Sequence, residues 1–386
     1  WWRSCWWWSS RSESRASVNT RSSAWPLALL FAGLVVYASL YPFTGWRIQG
    51  VATLSWMLAP WPQYWTGFDL ASNLAGYVPL GFLLAVAALR SGWSRGAWIL
   101  GAGGSAFLSL LVESLQTFLP MRVPSNVDFC LNAMGGALGA GMAVGLDRLG
   151  AVRRWSRFRA DWFQPSAHGG LVLLGLWPLA LLYPVSVPFG LGQVWDRLSD
   201  ALALSLADTP FVVWLPDRSL FTVPLSPLAE AFCIALGLLA PLLMAYGEMH
   251  SVWRRALFIP LFFLGALGAA GLSAALTWGP THAWAWIGPQ VVLGGSLALA
   301  LGIVALALSR RLCNAVMLLC LGMSLTLLNR APDSPYFVQS LEVWEQGRFI
   351  RFHGLSQWLG WLWPFAALLF GLRAVARSSR DGSGAS

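Results

Sequence analysis

The sequence predicts an all-α, polytopic transmembrane bundle of about ten spans, on three observations. Of its 386 residues, 57% are hydrophobic and 11% charged, whereas a soluble domain carries about a quarter charged and roughly 45–50% apolar residues. The apolar residues gather into runs long enough to cross about 30 Å of hydrocarbon. All 25 basic residues are Arg, and they fall mainly in short loops between those runs and in the two tails.

Four runs, Trp25 to Phe43, Ser72 to Leu89, Ala97 to Leu119 and Phe129 to Leu146, make an N-terminal four-helix unit over residues 25–147. A basic linker over 148–168 carries Arg148, Arg153, Arg154, Arg157 and Arg159. A second membrane domain over 169–373 holds the runs Gly169 to Val187, Pro227 to Tyr246, Ala256 to Trp278, Pro289 to Leu308, Leu312 to Leu328 and Leu355 to Leu372. A tail over 374–386 follows. Residues 1–24 are rich in Ser, Arg and Trp, lack an initiating Met and contain no apolar core of signal-peptide length, so they are read as a disordered or artefactual extension.

The Arg residues set an orientation. The N-terminal tail, Arg90/Arg95, the linker, Arg254/Arg255, Arg310/Arg311 and Arg373/Arg377/Arg380 all fall on one side, which the positive-inside rule makes cytoplasmic together with both termini. This points to an integral protein of the bacterial inner membrane. The longer loops 188–226 and 329–354 then face outward, with Trp195 to Leu206 a candidate interfacial helix. The net charge of +9 reads as topology and contact with anionic lipid, not as a nucleic-acid surface. Cys5, Cys130, Cys233, Cys313 and Cys320 include no C-x-x-C pair, and they predict neither a disulfide framework nor a zinc site.

Against this apolar background one polar signature occurs twice: Asp69-x-x-x-Asn73-x-x-Gly76 and Asp128-x-x-x-Asn132-x-x-Gly135. Between the copies, Ser105, Ser109, Glu113 and Gln116 follow helical spacing and form one polar stripe. The predicted topology puts all of these groups near the outer ends of the second, third and fourth spans. A carboxylate within a span costs about 2.5–3.5 kcal/mol on insertion scales unless paired, protonated or wet. Arg122, in the outer loop between Pro120 and Asp128, is the nearest cation in sequence and the natural partner for Glu113. Asp69, Asn73, Ser109, Glu113, Gln116, Arg122, Asp128 and Asn132 are therefore expected to converge on one outward-facing pocket.

Each group also has a plainer role. Asp69 and Asp128 suit N-caps, and the serines and Gln116 suit hydrogen bonds between helices. Capping leaves unexplained the Asn four residues later in both copies, on the same helical face. The two copies read as a parallel repeat of hairpins, incomplete because the first span offers Tyr37, Ser39 and Tyr41 where the third has Glu113 and Gln116. Gly135, Gly136 and Gly139, followed by Gly141 and Gly145, predict close helix packing. Pro79 is expected to kink the second span and free a carbonyl toward the pocket. His353 reads as an interfacial or capping group, Glu230 as a solvated first-turn acid, and the 25 Trp residues as aromatic belts.

The ordered set Asp69…Asn73…Tyr77-Val-Pro79-Leu-Gly81-Phe82, then Ser109…Glu113…Gln116…Arg122…Asp128…Asn132…Gly135…Gly139, resembles the VanZ-like family, named for a membrane protein associated with teicoplanin resistance. The resemblance covers about residues 25 to 147, and the stretch from Glu345 to Gly354 with the Trp-rich helix after it looks like longer family members. It implies a small helical membrane domain and a role in tolerance of glycopeptide antibiotics, and it supplies no mechanism. The last six runs lie outside it.

Three functions compete. The first is a non-catalytic envelope protein whose outer pocket binds a cell-wall precursor, lipid or glycopeptide. The second is a membrane enzyme in which Asp69, Glu113 and Asp128 hold a divalent cation such as magnesium and Arg122 contacts a phosphorylated lipid or isoprenoid. It lacks a D-x-x-D pair, a catalytic His near the site, a P-loop and a nucleophile motif. The third is a transporter, suggested by span number and the repeat but without a pair of broken helices. The expectation leans to the non-enzymatic reading, with no cofactor beyond a candidate divalent cation and with membrane lipids as partners.

Overall fold

The computed structural model describes residues 24–41, 43–61, 67–214, 224–331 and 350–383. The expected extension over 1–24 lies outside this set except for Ala24, as do residues 345–349 of the Glu345 to Gly354 stretch. The described residues are helical, and their one bridge-type pairing is Phe163 with Met249. In chain order the helices are α1 (Ala24–Leu40), α2 (Gly67–Arg90), α3 (Ala97–Gln116), α4 (Asn126–Arg148), α5 (Ala151–Trp162), α6 (His168–Ala180), α7 (Trp195–Leu206), α8 (Pro227–Glu248), α9 (Val252–Trp278), α10 (Pro289–Val304), α11 (Arg310–Leu328) and α12 (Ile350–Ser383).

Each of the ten runs corresponds to a helix, but eight are long and apolar enough to cross a membrane. The exceptions are α1, with 17 residues, and α6, with 13. At 1.5 Å per residue they reach about 25 and 20 Å, short of a full hydrocarbon core. The basic linker folds as α5, and the expected interfacial segment folds as α7 with the expected bounds.

The chain divides into two compact units: residues up to 33 with 48–117 and 122–145, and residues 34–47 and 118–121 with everything from 146 onward. The first unit is built on α2, α3 and α4. Its buried apolar cluster is small, Ala85, Ala140 and Ala143 with Phe82 and Val86 against it. Glycine does the packing instead. A Cβ on Gly135 or Gly139 would collide with the Leu74 or Val78 carbonyl of α2, and one on Gly136 with the Ser105 side chain of α3. Gly81 faces the Gly136 carbonyl in the same way. Lipid tails are as apolar as the helices, so close backbone approach and hydrogen bonds must supply what hydrophobic burial does not. Gly145 has no neighbour within 4 Å and Gly141 only the Trp98 ring edge at 3.8 Å, so the close-packed stripe stops at Gly139.

The second unit packs around α8, which is buried almost throughout. Ile234, Leu242, Leu243 and Met244 of α8 pack with residues of α6, α9, α10, α11 and α12 in one apolar core. Trp177, stacked on Phe262 with ring centroids 5.1 Å apart, closes one side of it. Cys233, Cys313 and Cys320 are buried free thiols and Cys130 is an exposed one; Cys5 lies outside the described residues.

Candidate functional site

The two copies of the repeated signature occupy the same register in their helices. Asp69 and Asp128 are each the third residue of α2 and α4, and Asn73 and Asn132 each follow one turn deeper. α3 runs the other way, so its last turn brings Glu113 and Gln116 to the end where α2 and α4 begin. Three sequence-distant segments thus deliver polar groups to one end of one unit.

Asp128 is not an N-cap. Ser125 precedes α4 and its Oγ accepts the Asp128 N–H at 3.4 Å, a bond from the N-cap side chain to the third helical amide. In a capping box the third-position carboxylate would take the N-cap amide in return. Here the Ser125 N–H donates to Oε2 of Glu113, on the neighbouring helix, at 3.0 Å. Glu113 thereby supplies in trans the acceptor that Asp128 would supply in cis. Asp128 Oδ1 instead accepts from Asn73 Nδ2 at 2.5 Å, joining the two repeats. Asp69 sits in the first turn of α2, and its side chain lies outside the described residues.

One turn below, Asn132 Nδ2 donates to Ser109 Oγ at 3.0 Å. The Ser105 hydroxyl, lower on the same stripe, donates to the Gly101 carbonyl at 2.8 Å. It is satisfied within its own helix and serves packing. Burial increases along the hydrogen-bonded cluster: Asn73 and Asp128 are half-buried, whereas Glu113, Ser109 and Asn132 are buried; Gln116 and Arg122, also expected there, are half-buried. Tyr77, one turn after Asn73, joins the buried end with its hydroxyl beside Ser109 and Glu113. In the sequence Tyr77 belongs to the motif that carries the family resemblance, outside the predicted pocket. Its i+4 spacing from Asn73 was the available signal.

Two further features depart from expectation. α2 continues through Pro79, and Ala75 and Pro79 are both exposed. The gap that Pro79 leaves in the hydrogen-bond ladder, at the Ala75 carbonyl, therefore lies on the outer face of α2 and not toward the cluster. The segment between α1 and α2 was given no role, yet it covers the end of α3 and α4. Gln49 Nε2 donates to the Thr117 carbonyl at 2.8 Å, the Thr117 hydroxyl donates to the Thr53 carbonyl at 3.2 Å, and Asn126 Nδ2 donates to the Ala59 carbonyl at 2.7 Å. Trp56, in a 3-10 turn over Ser55–Leu58, is buried edge-on against Phe129.

Among the described residues no three His, Cys, Asp or Glu side chains come together. The Asp69, Glu113 and Asp128 trio is outside that statement because it needs the Asp69 side chain. His353 is in the first turn of α12, its side chain also outside the described residues.

The second unit holds buried polar residues of its own. Arg255, expected as an exposed topology marker, is buried, and its Nη1 donates to the Leu306 and Leu308 carbonyls at 2.8 and 2.7 Å. It thereby satisfies carbonyls at the end of the α10 segment. Its guanidinium also lies 5.7 Å from the Tyr246 ring. Glu248, at the end of α8, is buried and pairs with Arg310 at 3.4 Å. These groups tie helix ends of the second unit together, and α8 and α9 carry no sequence pattern that separates buried Arg255 from half-buried Arg254.

No curated protein matches the chain, and no solved structure does. Residues 5–147 match the VanZ/LLP1 family model. The match begins within the stretch read as an extension, and it takes in α1 to α4 almost to the end of α4 together with every residue of the polar cluster. The N-terminal region of this chain, with the carboxamide–carboxylate cluster it carries, is therefore similar to the VanZ/LLP1 family.

Proposed function

We propose that the polar cluster of the VanZ-like unit binds a component of the cell envelope at the outer face of the bacterial inner membrane, and that this binding contributes to tolerance of glycopeptide antibiotics. The observation that carries this reading is the gradient of burial at one end of three helices, from half-buried Asn73 and Asp128 to buried Glu113 and Asn132. Such groups are costly in lipid unless they pair or meet water or a ligand. Candidate ligands are a cell-wall precursor, a membrane lipid or the glycopeptide itself. The Arg distribution supports placing this end outside and both termini in the cytoplasm.

The test is susceptibility. A teicoplanin-sensitive bacterium expressing the chain should become more tolerant, and Glu113→Ala or Asp128→Ala at equal membrane abundance should remove the gain. Equal susceptibility in all strains would overturn the tolerance role. A reporter active only in the cytoplasm, fused after Ser386, checks the orientation. Magnesium-dependent turnover of a phosphorylated isoprenoid by the purified protein would replace the binding reading with an enzymatic one.

A further inference from the structure

The stretch that the sequence presents as a basic linker contains α5, a helix of 12 residues with four Arg and one Asp. Its side chains separate by face. Trp155, Phe158 and Trp162 recur at i, i+3 and i+7 and form one row, with ring centroids 5.5 Å apart for the first pair and 5.0 Å for the second. At about 100° per residue Arg157 falls on the opposite side of the helix and Arg154 on its flank. Both arginines are exposed, and exposed Asp161 shares their side. Trp155 and Phe158 are also open, at 54% and 39%. Exposed apolar rows of this kind mark contact surfaces.

Both ends of α5 are fixed at the ends of spans. Gly150, with φ at +74°, ends the preceding helix in the left-handed region, and its carbonyl accepts the Arg154 N–H at 2.9 Å. α5 therefore starts two residues beyond the last residue of α4. At its other end the Trp162 carbonyl accepts the His250 N–H at 3.2 Å, and the Gln164 N–H donates to the Glu248 carbonyl at 2.8 Å. Glu248 and His250 belong to the turn between α8 and α9, and α4, α8 and α9 are all long and apolar enough to cross a membrane. The length of α5, about 18 Å, is too short to cross about 30 Å of hydrocarbon. A helix held in this way runs along one membrane surface.

The two faces select the occupant. Aromatic rings on one side and arginines on the flank and back are the pattern of helices that lie in a bilayer interface. There the rings enter the acyl boundary, and guanidinium groups meet phosphates with paired N–H donors. An acidic protein would engage the arginines and leave the row of rings in water. We infer that α5 lies in the plane of the membrane surface, with Trp155 and Phe158 at the acyl boundary and Arg154 and Arg157 on the phosphates of anionic phospholipid. This uses no residue of the polar cluster and stands independently of the binding reading above.

The experiment uses the full chain in nanodiscs, either of phosphatidylcholine alone or of an equal mixture with phosphatidylglycerol. Placement is read by spin labels at Trp155→Cys and, separately, at Ala160→Cys on the polar side, in a chain carrying Cys5→Ser and Cys130→Ser. In the mixed nanodiscs oxygen should relax the label at 155, and a water-soluble nickel chelate the label at 160. Equal response of the two sites to either agent overturns the in-plane placement. Hydrogen exchange of the α5 amides reads the lipid chemistry. Exchange should be about 25-fold slower with phosphatidylglycerol than without, about fivefold for each of the two arginines. Arg154→Gln with Arg157→Gln should abolish this difference and exchange as the parent does in phosphatidylcholine alone. Equal exchange of parent and double variant in the mixture overturns the phosphate contact. A double variant already faster in phosphatidylcholine alone overturns it too, by assigning the arginines to helix stability. No effect of phosphatidylglycerol on the parent overturns the lipid, and slowing by polyglutamate in its place assigns the face to an acidic protein.

Discussion

The two units of this protein solve the same problem with opposite materials. In the second, a nearly fully buried α8 carries Ile234, Leu242, Leu243 and Met244 into a broad apolar core. In the VanZ-like unit the buried apolar cluster is three alanines, and the helices meet where glycine lets one backbone touch another. Large side chains can repack when one of them changes, because rotamers and small shifts absorb the difference. A backbone carbonyl has no rotamer. The unit that carries the polar cluster is therefore the one with the least freedom to drift. The carboxylates and carboxamides depend on that fixity, since the Glu113 to Ser125 and Asn73 to Asp128 bonds each join groups on separate chain segments.

The largest expected break of this contrast is Gly139→Leu. Its Cβ meets the Val78 carbonyl and the Phe82 amide of α2, so α2 and α4 must separate, costing about 3 kcal/mol or more. Denaturation by SDS of the detergent-solubilised chain should show the loss. Gly145→Ala, with nothing within 4 Å, should stay within about 0.5 kcal/mol of the parent. If the two glycines respond alike, glycine contact is not what holds the first unit.

A middle-sized effect is expected in the second unit, at its buried cation. Arg255→Ala removes the donors to the Leu306 and Leu308 carbonyls and should cost about 2–3 kcal/mol. Arg254→Ala, on the neighbouring residue whose guanidinium lies 6.0 Å from the Trp162 ring, should cost about 0.5–1 kcal/mol. Parallel SDS titrations decide this, and equal losses would return Arg255 to the role of topology marker.

The smallest effect concerns the link between the repeats. Asn73→Ala removes the donor to Asp128 and should cost about 1–2 kcal/mol. Asp128→Asn, which keeps an acceptor there, should lose about half of that. The ranking is checked by the same titration, and a larger loss for Asp128→Asn would mean that the Asp128 charge matters more than the bond to Asn73.

Several parts of this site are legible in the chain itself. The periodicity of Ser105, Ser109, Glu113 and Gln116 predicts one polar stripe turned toward the bundle interior, and the first three are buried while Gln116 is half-buried. The repeated Asp and Asn spacing predicts one register in two helices, and both copies begin at the third helical residue. The capping of α4 was half legible. Ser125-x-x-Asp128 is a capping pattern, but which carboxylate takes the Ser125 amide depends on how α3 sits beside α4. The covering role of Gln49, Thr53, Trp56 and Ala59 was not legible, because it rests on loop carbonyls and tertiary hydrogen bonds that leave no periodic trace.

The sequence by itself determined the helical membrane fold, the helix registers and the resemblance of about residues 25 to 147 to the VanZ-like family, which the match of residues 5–147 to the VanZ/LLP1 family model supports. These depend on period, length and composition, which are local properties of a chain in lipid. Only the tertiary structure decided that Glu113 caps its neighbour, that Asp128 reaches Asn73 and that Arg255 is buried. Partners are chosen where helices meet at angstrom distances, and a sequence pattern specifies the face of a helix without specifying what that face will touch.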